Sequence, residues 1–444
     1  MTSRSWIARN LAVAMLADDW TPRSLRRSLD FILGPATREL QVKFVRSLVR
    51  KSPGRVPPSY DWLKCFVEQS RWFDKLSEQI RRNPTPMGAL LTPPKFAPSP
   101  RFAALEIPRI TTLGDLALWL RLPVEQLDWF VDDRRQHSQT TIPILQHYSY
   151  SFVARSSGPP RLIEAPKPRL KTMQRRILHG ILDHLPTHDA AHGFVAGRSC
   201  LTSAAVHASE AVVITVDLKD FFLTTRLSRV HAMFRALGYP WSVARALTAL
   251  TSTMTPDVVF DRLPRDRRHD WRTRRRFVQA HLPQGAPTSP TLANLAAWQL
   301  DARLAGFARS CGAAYTRYAD DLAFSGAAAF ADQADWFVRV LGDIAADEGY
   351  ALNPAKTRIM RASGCQRLTG LVVNEHINVG RADCDQLKAT LHNCVKRGPA
   401  SQNLGGHSNF RAHLDGRVVW VENVNPARGA KLRRMFEAIR WCGD

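Results

Sequence analysis

No two of the seven cysteines form a CxxC pair, and their number is odd. Neither a zinc knuckle nor a disulfide framework is indicated, and a reducing compartment fits. No apolar run is long enough to span a bilayer. The opening MTSRSWIARNLAVAML passes into Ala17-Asp18-Asp19-Trp20 instead of a cleavage site, so no secretory signal is expected and a cytoplasmic location is. No internal repeat is evident. Acids are scarce beside bases: 39 Asp and Glu face 62 Lys and Arg, a net charge of +23 over 444 residues. An excess spread along the whole chain points to a polyanionic partner, nucleic acid. A membrane surface also attracts cations, but the chain carries no spanning run.

What is present suffices for more than one small domain, with a 45% hydrophobic content that can fill a real core. Residues 1 to about 80 carry apolar side chains at three- and four-residue steps, such as Phe44, Leu48 and later Trp62, Phe66, which predicts helices. The stretch from Asn83 to Pro108 contains Pro84, Pro86, Pro93, Pro94, Pro98 and Pro100 and reads as a linker. The helical pattern resumes after Thr111 or Thr112, either of which suits a cap; Trp119, Leu120, Leu127, Trp129 and Phe130 read as packing residues. From Tyr148 a hairpin is expected, turning at Ser156 to Pro160, followed by a helix from Pro168. Arg155 and Arg161 flank that turn and could clasp a triphosphate, because a guanidinium donates two parallel hydrogen bonds. As a pair they also fit a merely basic surface.

Further on, Gly193 and Gly197 would let backbone approach a ligand, with Arg198 presented from the same loop. Val212 to Val216 reads as a strand buried on both faces, ending on Asp217. A carboxylate at such a position is expensive to hide unless it meets a cation. The basic run Arg262 to Phe277 reads as a mobile solvated face that touches phosphates. LPQGAPTSP (282–290) is a turn leading into a helix, with Thr288 or Ser289 as cap. Alternation on both sides of Tyr318-Ala319-Asp320-Asp321 predicts a hairpin with two acids at its tip. Adjacent carboxylates repel unless a strong cation sits between them, although the four residues alone also fit a solvated turn.

Val216-Asp217-Leu218-Lys219-Asp220-Phe221-Phe222, LPQGAPTSP and Tyr318-Ala319-Asp320-Asp321 occur in the order and spacing of a reverse transcriptase palm. The chain most resembles a bacterial retron reverse transcriptase, with support from APKPRLKTMQRRIL (165–178), LTGLVVN (368–374) and LDGRVVWVENVNPARGAKL (414–432). Ser203-Ala204-Ala205-Val206-His207 stands where such proteins carry Asn-Ala-x-x-His, and Leu368-Thr369-Gly370 where they carry Val-Thr-Gly. The resemblance covers about residues 110 to 442 and implies an α+β right-hand polymerase with an antiparallel palm sheet. Its expected parts are a helical N-terminal extension with linker (1–105), N-terminal helices and fingers (106–205), palm (206–375, with the basic insertion at 262–277) and thumb (376–444).

The resemblance also implies roles. Asp217, Asp320 and Asp321, with the Leu218 carbonyl, would hold two Mg²⁺ ions for nucleotidyl transfer. Deoxynucleotide binding falls to Arg155, Arg161, Phe222 (which would exclude a ribose 2′-hydroxyl), Gln284 and Lys356, the last a proton donor to pyrophosphate or a phosphate partner. Arg198, His207, Thr369 and Gly370 would meet nucleic acid, although His207 also suits a buried structural histidine. The implied activity is copying a structured noncoding RNA from a 2′-hydroxyl into branched, RNA-linked single-stranded DNA, in antiphage defence, with any effector on a separate chain. The rival readings are a group II intron-like or untemplated polymerase, and a catalytically silent RNA-binding scaffold.

Overall fold

The computed structural model describes residues 4–17, 20–34, 37–52, 57–82, 95–132, 140, 142–155, 159–264 and 269–441. The first half of the Pro-rich stretch, the hairpin tip Ser156 to Gly158 and residues 265–268 of the basic insertion lie outside the described residues. The chain forms two compact units, one from residues 1–186 with 222–296, the other from 187–221 with 297–444. Both are helix-rich and carry antiparallel sheet, an α+β architecture. Among the described residues no helix is long and apolar enough to cross a membrane.

The first unit opens with five helices, α1 (Arg4–Leu16), α2 (Pro22–Leu33), α3 (Arg38–Lys51), α4 (Tyr60–Gln69) and α5 (Arg71–Arg82). They close around a core of their own that includes Leu11, Met15, Leu25, Leu29, Phe44, Leu48, Leu63 and Phe73. Local signals explain the breaks. Thr21 Oγ1 accepts from the Ser24 amide with Pro22 at the first turn, and Gly34 leaves α2 at φ 71°. Trp62 is exposed and stacks on Phe66, its ring 5.3 Å away.

Past residue 95 the Pro-rich stretch is not a free tether. The Ala97 amide donates to the Gly238 carbonyl (3.0 Å) and the Ser99 amide to Ala236 (2.9 Å). A side chain on Gly238 would put its Cβ 2.5 Å from the Pro98 nitrogen, so the close seating needs glycine there. Thr112 is the cap of the next helix, Leu113–Leu120, in a reciprocal box with Asp115.

Strands β1 (Tyr148–Val153) and β2 (Arg161–Pro166) pair antiparallel, Tyr148 opposite Pro166 and Val153 opposite Arg161. The basic insertion departs from the solvated face expected of it. Asp270 caps a helix, Trp271–Val278, whose Phe277 is buried with Leu162, Val259 and Phe260, while Arg274 pairs with Asp257 at 2.7 Å. Four residues of apolar packing outweigh the charge run around them.

Glu164 on β2 is fully buried and accepts from Thr255 Oγ1 (2.5 Å), His281 Nε2 (2.9 Å) and the Gln284 amide (3.4 Å). His281 Nδ1 lies 2.7 Å from the Gln279 carbonyl, so both ring nitrogens face acceptors, an arrangement that favours the doubly protonated ring. Burial lowers its pKa, but the Glu164 carboxylate and the hydrogen bonds raise it by more. The Glu164 amide also donates to the Gln284 carbonyl (2.9 Å), which fastens the LPQG loop to β2. Of the two cap candidates, Thr288 precedes the helix Ser289–Ala296 and its carbonyl accepts from the Leu292 amide (3.0 Å), while Ser289 is the first helical residue. Its hydroxyl donates to the Pro283 carbonyl (2.7 Å), binding the loop to itself.

In the second unit β3 (Val212–Asp217), β4 (Ala313–Tyr318), β5 (Asp321–Gly326) and β6 (Arg358–Arg361) form an antiparallel sheet in the order β4-β5-β3-β6. A smaller sheet follows, β7 (Arg367–Leu368), β8 (Leu371–Val372) and β9 (Asn378–Val379). Helices Arg381–Arg397, Phe410–Val424 and Pro426–Glu437 then pack on a separate core of Leu387, Leu391, Leu414, Val418, Leu432 and Phe436.

Glu164→Gln leaves the His281 cation buried without its counter-charge, a loss on the order of 3–5 kcal/mol. A histidine whose folded pKa is raised stabilises fully below its unfolded value near 6.5, and that contribution fades as pH rises through the folded value. The variant is therefore expected to lose most at pH 6 and clearly less at pH 9 in urea midpoints; equal losses would contradict the charged pair.

Candidate active site

β3 is apolar on both faces because Val212, Val213, Ile214 and Val216 are all buried, and its register is fixed between β5 and β6. That register sets Asp217, only 4% exposed, directly opposite Asp321 at the start of β5. Tyr318 also pairs with Asp321, leaving Ala319 and Asp320 as a two-residue turn. The Leu218 amide donates to the Asp320 carbonyl at 2.8 Å, fastening that turn to the end of β3. Residues 103 and 104 positions apart in the chain thus bring three carboxylates to one end of one sheet.

Two side chains answer the charge of Asp217. Lys356 Nζ donates to Oδ2 at 2.7 Å and Asn353 Nδ2 to Oδ1 at 3.0 Å, while the Asn353 amide donates to the Asp217 carbonyl at 2.8 Å. Lys356 itself is 61% exposed. Asp321 gains less: partial burial, then the charges of Asp320 and Asp217, push its pKa up to about 6 against the smaller pull of Lys356. Its side chain keeps solvent access, which screens part of that push.

Among the described residues, no three Asp, Glu, His or Cys side chains already close around one metal position. The donor chemistry still suits a hard divalent cation. Carboxylates stand on directly opposed residues, an ammonium already serves as cation to one of them, and the proton affinity of another is raised by burial and then by its anionic neighbours.

The frame beneath the turn is a buried ion pair that reading the sequence missed. Arg317 and Asp301 are both fully buried, joined by Nε to Oδ1 (2.7 Å) and Nη2 to Oδ2 (2.6 Å). Tyr315 donates its hydroxyl to Asp301 (2.8 Å), and Arg317 Nη1 donates to the Ala319 carbonyl (3.1 Å). Ala319 is held at φ 57°, a left-handed conformation costly for a residue with a Cβ, and Arg317 secures it. The loop before Arg198 runs along β4, with Arg317 N to Ala190 O at 2.7 Å and His192 N to Arg317 O at 2.8 Å. A Cβ on Gly193 would sit 2.5 Å from the Ala319 amide nitrogen. Gly193 thus permits approach to the acidic turn, where a ligand had been expected.

Other candidates fall elsewhere. Arg198 folds back onto its own loop, donating to the carbonyls of Asp189 and Ala191 (the latter 2.8 Å). His207 is fully buried, its ring nitrogens bonded to Ser325 Oγ (2.7 Å) and Thr316 Oγ1 (2.8 Å), and burial first, then the charge of His192, lower its pKa to about 4. It is a neutral tie between the helix Cys200–Ala205 and the sheet. Thr369 (φ 47°) and Gly370 (φ 83°) form the tight turn between β7 and β8. Thr369 Oγ1 is buried with no hydrogen-bond partner among the described residues.

Arg155, Arg161, Phe222 and Gln284 belong to the first unit. Both arginines are exposed, Arg161 on the last paired position of the hairpin and Arg155 two residues past Val153. Phe222 is half-buried on the one-turn helix Phe221–Thr224. Gln284 is fixed through its backbone to Glu164.

The acidic turn of one hairpin thus stands beside an acid on the neighbouring strand of the same sheet. Residues 153–386 match the family described as reverse transcriptase (RNA-dependent DNA polymerase), and the chain belongs to that family. Its similarity is to the bacterial retron branch. It is 40% identical to the Retron Mx65 reverse transcriptase of Myxococcus xanthus over 300 residues, 65% of this chain and 64% of that protein. It is 36% identical to the Retron Mx162 reverse transcriptase of the same organism over 331 residues, covering 71% and 64%. The Retron Ec86 reverse transcriptase of Escherichia coli is 29% identical over 300 residues, covering 66% and 81%. The match thus spans just under two thirds of either Myxococcus protein.

A carboxylate with a raised folded pKa costs stability once ionised, so its penalty is small at pH 4, builds as pH climbs from the ordinary 3.8 toward the folded value of about 6, and is full above that. Asp321→Asn is expected to raise the melting midpoint at pH 7.5 and to match the parent at pH 4. A midpoint lowered at pH 7.5 would show that the carboxylate is a structural anchor instead.

Proposed function

We propose that the chain is the RNA-directed DNA polymerase of a retron, copying a structured noncoding RNA into single-stranded DNA joined to that RNA through a 2′-hydroxyl, in antiphage defence. The opposition of Asp217 and Asp321 across β3 and β5, with Asp320 on the adjoining turn, carries this reading. In it the four-stranded sheet is the palm, the β1–β2 hairpin belongs to the fingers, and the three helices from Arg381 to Glu437 are the thumb.

Asp217, Asp320, Asp321 and the Leu218 carbonyl would hold two Mg²⁺ ions, which when bound stabilise the attacking and departing oxygens of nucleotidyl transfer. The chain's own groups do the rest. Arg155 and Arg161 bind the triphosphate as charge-assisted donors. Phe222 fills the space a ribose 2′-hydroxyl would need, selecting deoxynucleotides. Gln284, held by the Glu164 network, supports nucleotide and template. Lys356 holds a proton at Nζ, 2.7 Å from Asp217, where it can pass to departing pyrophosphate. The thumb helices grip an A-form duplex by shape and backbone, for which base-reading side chains are unnecessary. Arg198, His207, Thr369 and Gly370 act on RNA through the loops and sheet they hold in place. The structured RNA, its DNA product, deoxynucleotides and a separate effector protein are the partners of this reading.

Asp320→Asn combined with Asp321→Asn is expected to abolish deoxynucleotide incorporation on an RNA template, a loss of at least about 10³-fold, while RNA binding in a mobility-shift assay stays intact. Incorporation at the parent rate would remove the acidic cluster from the reaction.

A further inference from the structure

The five-helix bundle lies outside residues 153–386, so the polymerase family does not account for it. Its charge is unevenly placed. From Pro22 to Lys51, α2 and α3 carry eight Lys and Arg against two Asp and Glu; from Tyr60 to Arg82, α4 and α5 carry five against four. A surface that only keeps a domain soluble mixes the signs, as the second pair does.

The basic residues follow the helical period. On α2, Leu25 and Leu29 are buried while Arg23, Arg26 and Arg27 are exposed. On α3, Phe44, Val45 and Leu48 are buried while Lys43, Arg46 and Arg50 are exposed, a stripe about two turns long. The two acids are engaged by neighbours, Asp30 with Arg38 and Glu39 with Lys43. Gln41, the amide side chain of these two helices, is buried, and so is Phe44. Such a face suits a partner recognised by its phosphates and shape, as double-stranded RNA is.

We infer that the outward faces of α2 and α3 are a second RNA-binding surface, which holds a double-stranded stem of the template RNA through its phosphate backbone. The inference rests on the RNA-copying function proposed above. It gives the bundle a task separate from chemistry: retention of a structured template while the polymerase units act on its single-stranded part.

The test uses the full chain with Arg23, Arg26, Arg46 and Arg50 changed to Gln, beside an Arg71→Gln and Lys75→Gln control on the exposed face of α5. The probe is a synthetic stem-loop RNA with about 16 base pairs, titrated between roughly 50 and 200 mM salt. The four-site variant, its melting midpoint unchanged, should bind at least about 10-fold more weakly, with a salt slope shallower by about three, and the control should bind as the parent does. Unchanged affinity and slope, or equal weakening in the control, would overturn the inference. Extension of a short unstructured primer–template should proceed at the parent rate in the four-site variant. Slowing there by the same factor would also overturn it, because the face would then serve the reaction itself. A parent that extends no primer would refute the polymerase reading while the stem-loop comparison still reported on the bundle.

Discussion

Repulsion among three carboxylates at one end of a sheet is the constraint around which the second unit is built. Left to itself the chain would separate them, and each feature nearby prevents that. β3 cannot slip, because its valines and isoleucine are buried on both faces. The turn cannot open, because the Leu218 amide holds the Asp320 carbonyl and Arg317 holds that of Ala319. Lys356 and Asn353 offset part of the charge on Asp217. Asp321 is left with a raised pKa, from partial burial first and then from the charges of Asp320 and Asp217 that the frame does not cancel.

Each unit seats a loop with a buried ion pair of the same logic. In the second, Asp301 and Arg317 seat the acidic turn; in the first, Glu164 and His281 seat the LPQG loop. Buried pairs of this kind are poor sources of net stability, since desolvation consumes much of the Coulombic gain. What they supply is position: the partner that is removed leaves a charge that must move or unfold its surroundings. Loops carrying reactive groups gain from that rigidity more than from added stability.

Much of the candidate site could be read from residue order, because its carriers are periodic. The apolar run into Asp217 and the alternation around Asp320 and Asp321 each signal a strand and an exposed end. The frame could not be read in the same way. Glu164 sits in a hairpin whose neighbours alternate with solvent, and nothing local marks it as buried. Arg317 and Asp301 are 16 residues apart on a strand and a helix, and only the tertiary fold makes them partners. Gly193 signalled a close approach correctly in kind, but the approaching backbone is that of Ala319. Phe277 shows the opposite failure: one buried ring anchors a helix that its four arginines, Arg272, Arg274, Arg275 and Arg276, make look wholly solvated.

The central claim is that acids from remote segments form one divalent-cation site. Mn²⁺ titration of the full chain, followed by electron paramagnetic resonance of the free ion, tests it without reliance on turnover. The account predicts saturable Mn²⁺ binding that is lost in Asp217→Asn and also lost in Asp320→Asn. Binding that disappears with one of these and persists with the other would show two unrelated carboxylates, and the shared site would be contradicted.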